Sequence, residues 1–428
     1  MKEYKIMGLS LPVYFSLLAV TIIAMIFDVL PGGMIGAFAF MMISGSLLDV
    51  IGNNTPIIKT FFGGGPIVII FGSAALVYFN LIPESVTENV TTFMKGGGFL
   101  DFYIAALITG SILGMNKKLL IKAAIRYFPC IIGGVVVSLL FVSIGGLAFG
   151  QSPAESIAYI GIPIMGGGMG AGAVPISEVF AKGLGIPAEQ ILSRLVPAVA
   201  LGNAIAIVFG GLLDRLGKKY PKLSGDGKLM DIGEEELKIK EEDEPFKLGD
   251  FGIGMLIATA FFTFGEIVAY LMVKFTGFDI HPYAWMIISV AIAKAFNILP
   301  QKYEKSCANW YKFVASNWTS ALLIGIGIAY TDLGQVISAF SPIYIVLCFL
   351  VILGAVIGTG LVGKLVGFYP IEAAITAGLC MANMGGTGDV AVLTAAHRME
   401  LMPFAQISSR LGGAFIILLA TFLVPIFF

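Results

Sequence analysis

Long apolar blocks limit the fold of this chain more than any other feature of its sequence. A helix needs about 20 mostly apolar residues to cross about 30 Å of hydrocarbon. None of the blocks alternates as the strands of a membrane barrel do, and a helix is the other way to satisfy every backbone polar group in lipid. We therefore predict an all-α polytopic membrane protein with about eleven transmembrane helices, at residues 7–27, 31–51, 64–82, 99–115, 125–149, 186–213, 250–273, 282–299, 314–331, 340–363 and 401–428.

Composition and cysteine usage agree with this prediction. Only 12% of the residues are charged, about half the ~25% that is typical of soluble domains. The four cysteines are scattered without a C-x-x-C pair, so we expect neither a disulfide framework nor a zinc site. No nucleophile–base pair or metal cluster is apparent in the sequence. We predict a protein that is not an enzyme, carries no cofactor and binds no nucleic acid.

Basic residues indicate the orientation, because cytoplasmic loops carry an excess of Lys and Arg. With the N-terminus inside, the outer segments hold little more than Lys95, Lys182 and Lys274. We predict a multi-pass protein of a bacterial cytoplasmic (inner) membrane, with its N-terminus inside and its C-terminus outside. The inner, basic segments of this interpretation are 1–6, 52–63, 116–124, 214–249, 300–313 and 364–367.

One long polar insert divides the chain. Residues 214–249 mix basic and acidic side chains and contain few apolar ones, a composition that cannot build a core. We interpret this segment as a solvated cytoplasmic linker, with a regulatory or docking loop as the alternative. The division predicts an additional N-terminal span at 1–30, a first half at 31–213 and a second half at 250–428.

Each half contains a copy of the same motif. The pattern G-G-x-G occurs at 167–170 and at 385–388. After a similar gap, each copy is followed by Q-I-x-S-R-L, which ends at Leu195 in one half and at Leu411 in the other. A single G-G-x-G means little among 54 glycines, but two copies that share a second motif at similar spacing indicate an internal repeat.

The segments around the two motifs are apolar but interrupted by glycine and proline. Continuous spans at 155–182 and 368–396 would break the pattern of basic loops, so we predict two re-entrant hairpins with G-G-x-G at their tips. The first hairpin enters from outside and the second from inside, which makes the two halves an inverted-topology repeat. In transporters of this design, broken helices meet near the middle of the bilayer and form the binding site.

Glycine at a hairpin tip suits the binding of small ions. It allows the backbone to approach a ligand closely, and the N-termini of half-helices attract anions. Exposed carbonyls and hydroxyls at the same breaks can replace the water shell of a sodium ion. The alternative is that these glycines only allow helices to pack closely.

Charged residues inside the predicted membrane segments need an explanation, because each costs about 2.5–3.5 kcal/mol at mid-bilayer on insertion scales. Arg410 lies in the last span, and its planar guanidinium suits a carboxylate ligand. Asp389 and Glu178 each follow a glycine motif; each is a candidate to carry a proton or hold a cation, or else a helix-end charge or part of an ion pair. Arg194 holds the place of Arg410 in the first half, and a ligand role and a structural or gating role are both open for it. Glu372, at the start of the second hairpin, is interpreted as an interfacial charge.

Three stretches of this sequence resemble the 2-hydroxycarboxylate transporter family, whose members include bacterial citrate/sodium symporters. They are IMGGGMGAGAVPISE at 164–178, YPIEAAITAGLCMANMGGTGD at 369–389 and AQISSRLGG at 405–413. Weaker similarity runs through the rest of the chain. The resemblance implies a homodimer in which each protomer has a scaffold domain and a mobile transport domain with an elevator-type movement. It also implies sodium-coupled uptake of a 2-hydroxycarboxylate such as malate or citrate.

The resemblance also implies roles for individual residues. Arg410 would clamp a substrate carboxylate, and sodium would be the coupling ion. The other substrate-site positions are Met169, Gly170, Met384, Gly386, Thr387 and Gly388. The sodium-site candidates are Asn383, Thr387 and Ser409, together with the carbonyl groups near Cys380 and Met381.

Two positions depart from the citrate carriers of that family, which have Asn where Met169 stands and a second Arg where Met384 stands. Methionine supplies neither a positive charge nor a strong hydrogen bond. A third carboxylate therefore lacks its obvious partner, and we expect a preference for malate over citrate. A citrate–metal complex or a partly protonated citrate is the alternative substrate.

Other functions are open from the sequence alone. Membrane subunits of sodium-pumping decarboxylases are also helical, bind sodium and contain glycine-rich re-entrant segments, but they need a soluble carboxyltransferase partner. Arg410 beside a glycine tip favours a carrier. A proton-coupled or exchange-type carboxylate carrier is the remaining alternative, with Asp389 or Glu178 as the proton-carrying group.

Overall fold

The chain is almost entirely helical in the computed structural model. Seven helices of the described part are long and apolar enough to cross a membrane, and an eighth span results if the bent pair Glu84–Met94 and Phe99–Leu113 counts as one. Shorter apolar helices coincide with the remaining predicted spans. The prediction of an all-α polytopic membrane fold is confirmed. The structure describes residues 5–56, 58, 64–114, 117–230, 247–276 and 281–428.

In the first half, a short antiparallel pair of strands, β1 (Lys5–Ile6) and β2 (Leu9–Ser10), precedes the helices. The first hairpin is helical over Pro153–Ser156, Ile157–Gly161 and Ile162–Met165, breaks at three glycines, and is helical again over Met169–Ala173 and Val174–Leu184. The helices outside the hairpin are α1 Leu11–Ile26, α2 Met34–Asn54, α3 Gly65–Tyr78, α4 Glu84–Met94, α5 Phe99–Leu113, α6 Lys117–Ala148 and α7 Ala188–Lys219.

The second half repeats this order of elements. Its hairpin is helical over Pro370–Ala373 and Ala374–Leu379, breaks, and is helical again over Gly386–Ala395. The last span begins with Met402–Ile407 and a π-helical turn, Ser408–Gly412, that runs directly into the final helix. The helices outside the hairpin are α8 Gly249–Thr276, α9 Pro282–Ala295, α10 Gln301–Ala329, α11 Leu333–Ala339, α12 Pro342–Leu365 and α13 Gly413–Phe427.

The helices pack as two groups, and each group draws on both halves of the chain. In the scaffold group, α2, α3 and α5 pack with α8, α9 and α10. In the hairpin group, α6 and α7 pack with α12, α13 and both hairpins. Each half therefore contributes its elements in the same order, first three spans to the scaffold group, then a span, a hairpin and a span to the hairpin group.

Small residues hold the hairpin group together at its most extensive helix contact, between α6 and α12. A Cβ atom placed on Gly358 would lie 2.4 Å from the carbonyl oxygen of Gly133, and one on Gly354 would lie 2.6 Å from Cα of Ser138. Lipid tails are as apolar as the helix surfaces, so packing in a membrane relies on such close approach rather than on hydrophobicity. The two helices form a rigid backing for the hairpins.

Residues 214–230, which the sequence analysis assigns to a solvated linker, differ from that prediction. Residues 214–219 belong to α7, and the chain after them folds onto the base of the second hairpin, where Tyr369 donates its backbone N–H to the carbonyl of Leu229. The remaining linker residues 231–246 lie outside the described part of the chain.

Glu372, which the sequence analysis interprets as an interfacial charge, has several protein partners at the base of the second hairpin. Its side chain is fully buried and accepts hydrogen bonds from the Ser224 hydroxyl at 2.7 Å and the Gly225 backbone N–H at 2.9 Å. Arg398, at the far end of the same hairpin and also buried, lies 3.4 Å from Glu372 and 3.4 Å from Asp214. Both ends of the second hairpin are thus fastened to α7 and its extension. The sequence interpretation missed this because the residues that satisfy Glu372 are distant in the chain.

Replacing Glu372 with Ala should lower the stability of the folded protein by about 3–5 kcal/mol, because it leaves Arg398 with only part of its buried partner set. The measurement is the thermal melting of the purified protein in detergent. Glu155→Ala is the matched control, since Glu155 holds the same place at the start of the first hairpin but is exposed. Equal melting temperatures for the two variants would contradict the role given to Glu372.

Candidate functional site

A cavity of about 500 Å³ lies between the scaffold group and the hairpin group. The tips of both hairpins form one wall, and α5 and α10 form the wall opposite. The site residues predicted from the sequence that line it are Met169, Gly170, Met384, Asp389, Ser409 and Arg410.

The two hairpin tips touch each other beside this cavity. Gly168 has φ +128°, and a Cβ atom there would lie 3.1 Å from the carbonyl group of Met384. Gly167 has φ +74°, and a Cβ atom there would lie 2.4 Å from the carbonyl oxygen of Ser409. Glycine is required at both positions by the backbone conformation as well as by the space, since residues with a Cβ rarely adopt such angles.

Each tip is followed directly by the start of a half-helix, at Met169 in the first hairpin and at Gly386 in the second. The first N–H groups of a helix have no acceptor within it and carry a partial positive charge. Two such helix starts meet at the same wall of the cavity. The arrangement is suited to an anionic ligand.

Arg410 adds a full positive charge to this wall. It lies on the π-helical turn before α13 and is half-buried. Among the described residues it forms no salt bridge. Its guanidinium instead lies over the ring of Tyr311 of α10, 5.2 Å from the ring centroid, and one of its nitrogens is 3.4 Å from the Tyr311 hydroxyl. The arginine is therefore placed to receive a carboxylate ligand.

A cluster of oxygen atoms lies behind the second tip. Ser409 Oγ is 2.9 Å from both carboxylate oxygens of Asp389 and 2.9 Å from the carbonyl oxygen of Cys380. Asn383 donates its side-chain N–H to Asp389 at 2.9 Å, and its side-chain oxygen accepts the N–H of Gly385 at 2.7 Å. A carboxylate, a hydroxyl and a carbonyl oxygen are the ligand types that a hard cation such as sodium prefers.

Asn203 is a residue at this site that the sequence analysis missed. It lies on α7, is fully buried, and accepts the backbone N–H of Met384 at 3.1 Å with its side-chain oxygen. Its Nδ2 has no hydrogen-bond partner among the described residues. The only signal in the sequence is a lone Asn within an apolar span. A polar side chain in such a span usually has a hydrogen-bonding role between helices.

The structure places the other predicted residues as follows. Gly388 lies against Asn203 and Asn383, and Met381 is buried with its sulfur against Gly412. Side chains at positions 386 and 387 lie outside the described part, so the predictions for Gly386 and Thr387 concern residues of which only the backbone is described.

Glu178 is not at this site. It lines a second cavity of about 310 Å³, together with Lys95, Asp101, Glu189 and Tyr330. Arg194, the counterpart of Arg410 in the first half, is exposed and stacks on Tyr159, with its guanidinium carbon 5.1 Å from the ring centroid. The two halves of the chain are therefore alike in their order of elements but not in the chemistry of their tips.

Gly168→Ala should destabilise the protein by about 1–3 kcal/mol, because a Cβ there forces an unfavourable backbone angle and presses on the second tip. The measurement is thermal melting in detergent. Gly360→Ala is the control, because a Cβ at Gly360 meets only ordinary contacts, at 3.5 Å and beyond. An unchanged melting temperature for Gly168→Ala would show that the tips do not need their close contact.

Comparison with known proteins agrees with the geometry. The model of the 2-hydroxycarboxylate transporter family matches residues 6–422. The citrate/sodium symporter of Salmonella typhimurium is 37% identical over 98% of this chain and 94% of its own. The Na(+)-malate symporter of Bacillus subtilis is 40% identical over 99% of this chain and 94% of its own. The malate transporter MleP of Lactococcus lactis is 39% identical over 100% of this chain and 99% of its own.

Among solved structures, the sodium proton antiporter MjNhaP1 of Methanocaldococcus jannaschii aligns with 95% of this chain and 96% of its own at 15% identity and a TM-score of 0.42. Similarity at this level carries no functional information. The match to the family model and to its sequence relatives, by contrast, identifies the class of protein, which is a membrane transporter and not an enzyme. The chain belongs to the 2-hydroxycarboxylate transporter family.

Proposed function

We propose that this chain is a sodium-coupled symporter of a 2-hydroxycarboxylate, malate or citrate, and that the cavity between its two helix groups holds the substrate. The observation that carries the proposal is the position of Arg410, a charged residue on the cavity wall that forms no salt bridge among the described residues. A bidentate bond to one substrate carboxylate would satisfy its guanidinium. The helix start at the second tip supplies N–H groups for the rest of the anion.

Sodium coupling is supported by the cluster behind the second tip. Asp389, Ser409 and the Cys380 carbonyl converge within hydrogen-bond distance of one another, and Asn383 connects them to the backbone of the tip. A sodium ion bound there would lie directly behind the substrate and would partly neutralise it. Thr387 and the carbonyl of Met381 are the other proposed ligands.

We place the protein in a bacterial cytoplasmic membrane, with the N-terminus inside and the C-terminus outside, because of the distribution of basic loop residues. In this orientation the cavity lining reaches toward the cytoplasmic ends of α2 and α5, as far as Asp49 and Ser111. On the outer side, Lys95 pairs with Glu189 at 3.1 Å, and Ser193 accepts the N–H of Asp332 at 2.7 Å. The structure then corresponds to an inward-facing state.

An elevator-type movement and a homodimer complete the proposal. The division into a scaffold group and a hairpin group supports the movement, because both substrate and sodium candidates lie on the hairpin group while the opposite cavity wall belongs to the scaffold. An inverted relation of the two halves would let the hairpin group expose the cavity to each side in turn.

Malate is the proposed preferred substrate. Met169 and Met384 both line the cavity, and the citrate carriers that this sequence resembles have Asn and Arg at these places. A third carboxylate would meet a thioether instead of a guanidinium, which leaves one charge without compensation. Overall identity does not distinguish the two substrates, since the citrate and malate carriers are about equally similar to this chain.

Uptake of labelled L-malate into proteoliposomes that contain only this protein should require an inward sodium gradient. Arg410→Ala should reduce uptake by about 10²-fold or more, because one carboxylate loses a charge-assisted, bidentate partner. Arg194→Ala is the matched control, since Arg194 occupies the equivalent position but stacks on Tyr159 away from the cavity.

The same assay separates the alternatives. Uptake driven by a proton gradient without sodium would show that protons, and not sodium ions, are coupled to transport. Uptake that occurs only when the vesicles already contain malate would indicate exchange. No uptake of malate or citrate under any of these conditions would rule out a carrier of these acids that works alone.

Met384→Arg should improve citrate as a competitor of malate uptake by about 10-fold or more, because it supplies a cationic partner for a third carboxylate. The measurement is the citrate concentration that halves malate uptake. Met384→Leu is the control, since it preserves the volume without adding charge. If wild-type uptake were already halved by citrate at a lower concentration than by unlabelled malate, the proposed preference would be wrong.

A further inference from the structure

The contact between Arg410 and Tyr311 joins the two helix groups at the cavity. Arg410 belongs to the hairpin group and Tyr311 to α10 of the scaffold. Each of the two side chains lines the cavity. Both a hydrogen bond and a cation–π contact connect them, at 3.4 Å between guanidinium nitrogen and hydroxyl and at 5.2 Å to the ring centroid.

The backbone around Tyr311 packs closely against α5. A Cβ atom added to Gly110 of α5 would lie 2.3 Å from Cβ of Tyr311 and 2.4 Å from the carbonyl oxygen of Cys307. The backbone of α10 therefore lies directly on α5 at this level, and Cβ of Tyr311 cannot shift far toward α5. The contact between the guanidinium and this ring connects Arg410 to the scaffold group.

The nearby acid, Asp389, forms its side-chain hydrogen bonds with Ser409 and Asn383. Asp389 lines the same cavity, but both of its carboxylate oxygens lie at 2.9 Å from Ser409, and one also accepts from Asn383. Tyr311 is thus the described side chain that forms a hydrogen bond with the Arg410 guanidinium. A substrate carboxylate that binds Arg410 through a fork containing Nη2 needs an N–H of the nitrogen that the Tyr311 hydroxyl now contacts.

We propose that Tyr311 is a positioning residue that takes the place of the substrate in the empty transporter, binding Arg410 until a carboxylate displaces it. This inference rests on the proposed function, because it assigns Tyr311 as the group that competes with the proposed substrate for Arg410. Its consequence is a link between binding and movement. The arriving substrate removes Arg410 from the scaffold, so loading the site also releases a contact that ties the hairpin group to the scaffold group.

Removing the tyrosine should therefore strengthen substrate binding. We expect Tyr311→Leu to lower the dissociation constant for malate by about 2- to 30-fold, the range set by a partly buried cation–π contact. Tyr311→Phe, which preserves the ring but loses the hydroxyl, should give a smaller decrease. The dissociation constant for sodium measured without malate should stay within about twofold, because Tyr311 does not contact the Asp389 cluster.

The experiment is calorimetric titration of purified protein with L-malate in saturating sodium, for wild type, both Tyr311 variants and Tyr303→Leu. Tyr303 is the control, because it lies on the same helix, is 39% exposed and does not line the cavity. A double-variant cycle with Arg410→Lys, which preserves the charge but cannot stack or bind in a fork, tests the mechanism. The gain from Tyr311→Leu should shrink in that background, which a purely structural role of Tyr311 would not produce.

Two results would overturn the inference. Weaker malate binding in Tyr311→Leu would make Tyr311 a direct substrate ligand, and an unchanged dissociation constant would mean that the contact does not compete with substrate. Failure of the proposed function has a different signature, since wild-type protein would then bind neither malate nor citrate in the same titration.

Discussion

Hydrocarbon provides no hydrogen-bond partners. The whole arrangement of this protein depends on how the free backbone groups of two broken helices are satisfied without it. A helix that stops inside a bilayer is tolerated only where its free backbone groups face protein or a cavity. The two tips solve this together, since Gly167 and Gly168 rest on the backbone of Ser409 and Met384. A larger side chain at either glycine would separate the tips and open the breaks to lipid or water. The cavity is therefore a consequence of the tip contact, and the site residues follow from it.

The rest of the hairpin group keeps this contact in register. The α6–α12 contact forms a rigid backing, and the second hairpin is fastened at both ends through Glu372 and Arg398 to the end of α7. Asn203, also on α7, holds the tip itself by accepting the N–H of Met384. These attachments connect the second hairpin to helices of the first half, so the tips can move only as one body with α7.

The fold class, the two glycine-rich breaks and the candidate residue Arg410 could be read from the sequence, because they depend on local signals. Apolar length, a repeated glycine motif and a charge in an apolar segment can each be read within a short window. The partners of Arg410 and Glu372 could not be predicted in the same way. Tyr311 is 99 positions from Arg410, and Ser224 is 148 positions from Glu372. Such pairs are set by helix packing between the halves, and no pattern within either segment encodes them.

Charge balance gives the physical reason for coupling substrate to sodium. Arg410 and Asp389 both lie in the hairpin group and carry opposite charges, so in the proposed movement a dicarboxylate bound there would add two negative charges to the part that moves. Each charge carried against an inside-negative potential costs about 2.3 kcal/mol per 100 mV, and each uncompensated charge also loses its hydration at the apolar wall of the cavity. Sodium ions at the proposed site, the oxygen cluster behind the tip, would reduce both costs. In this proposal substrate and cation would stabilise each other in one cavity, and a substrate bound without sodium would leave the hairpin group with a net negative charge.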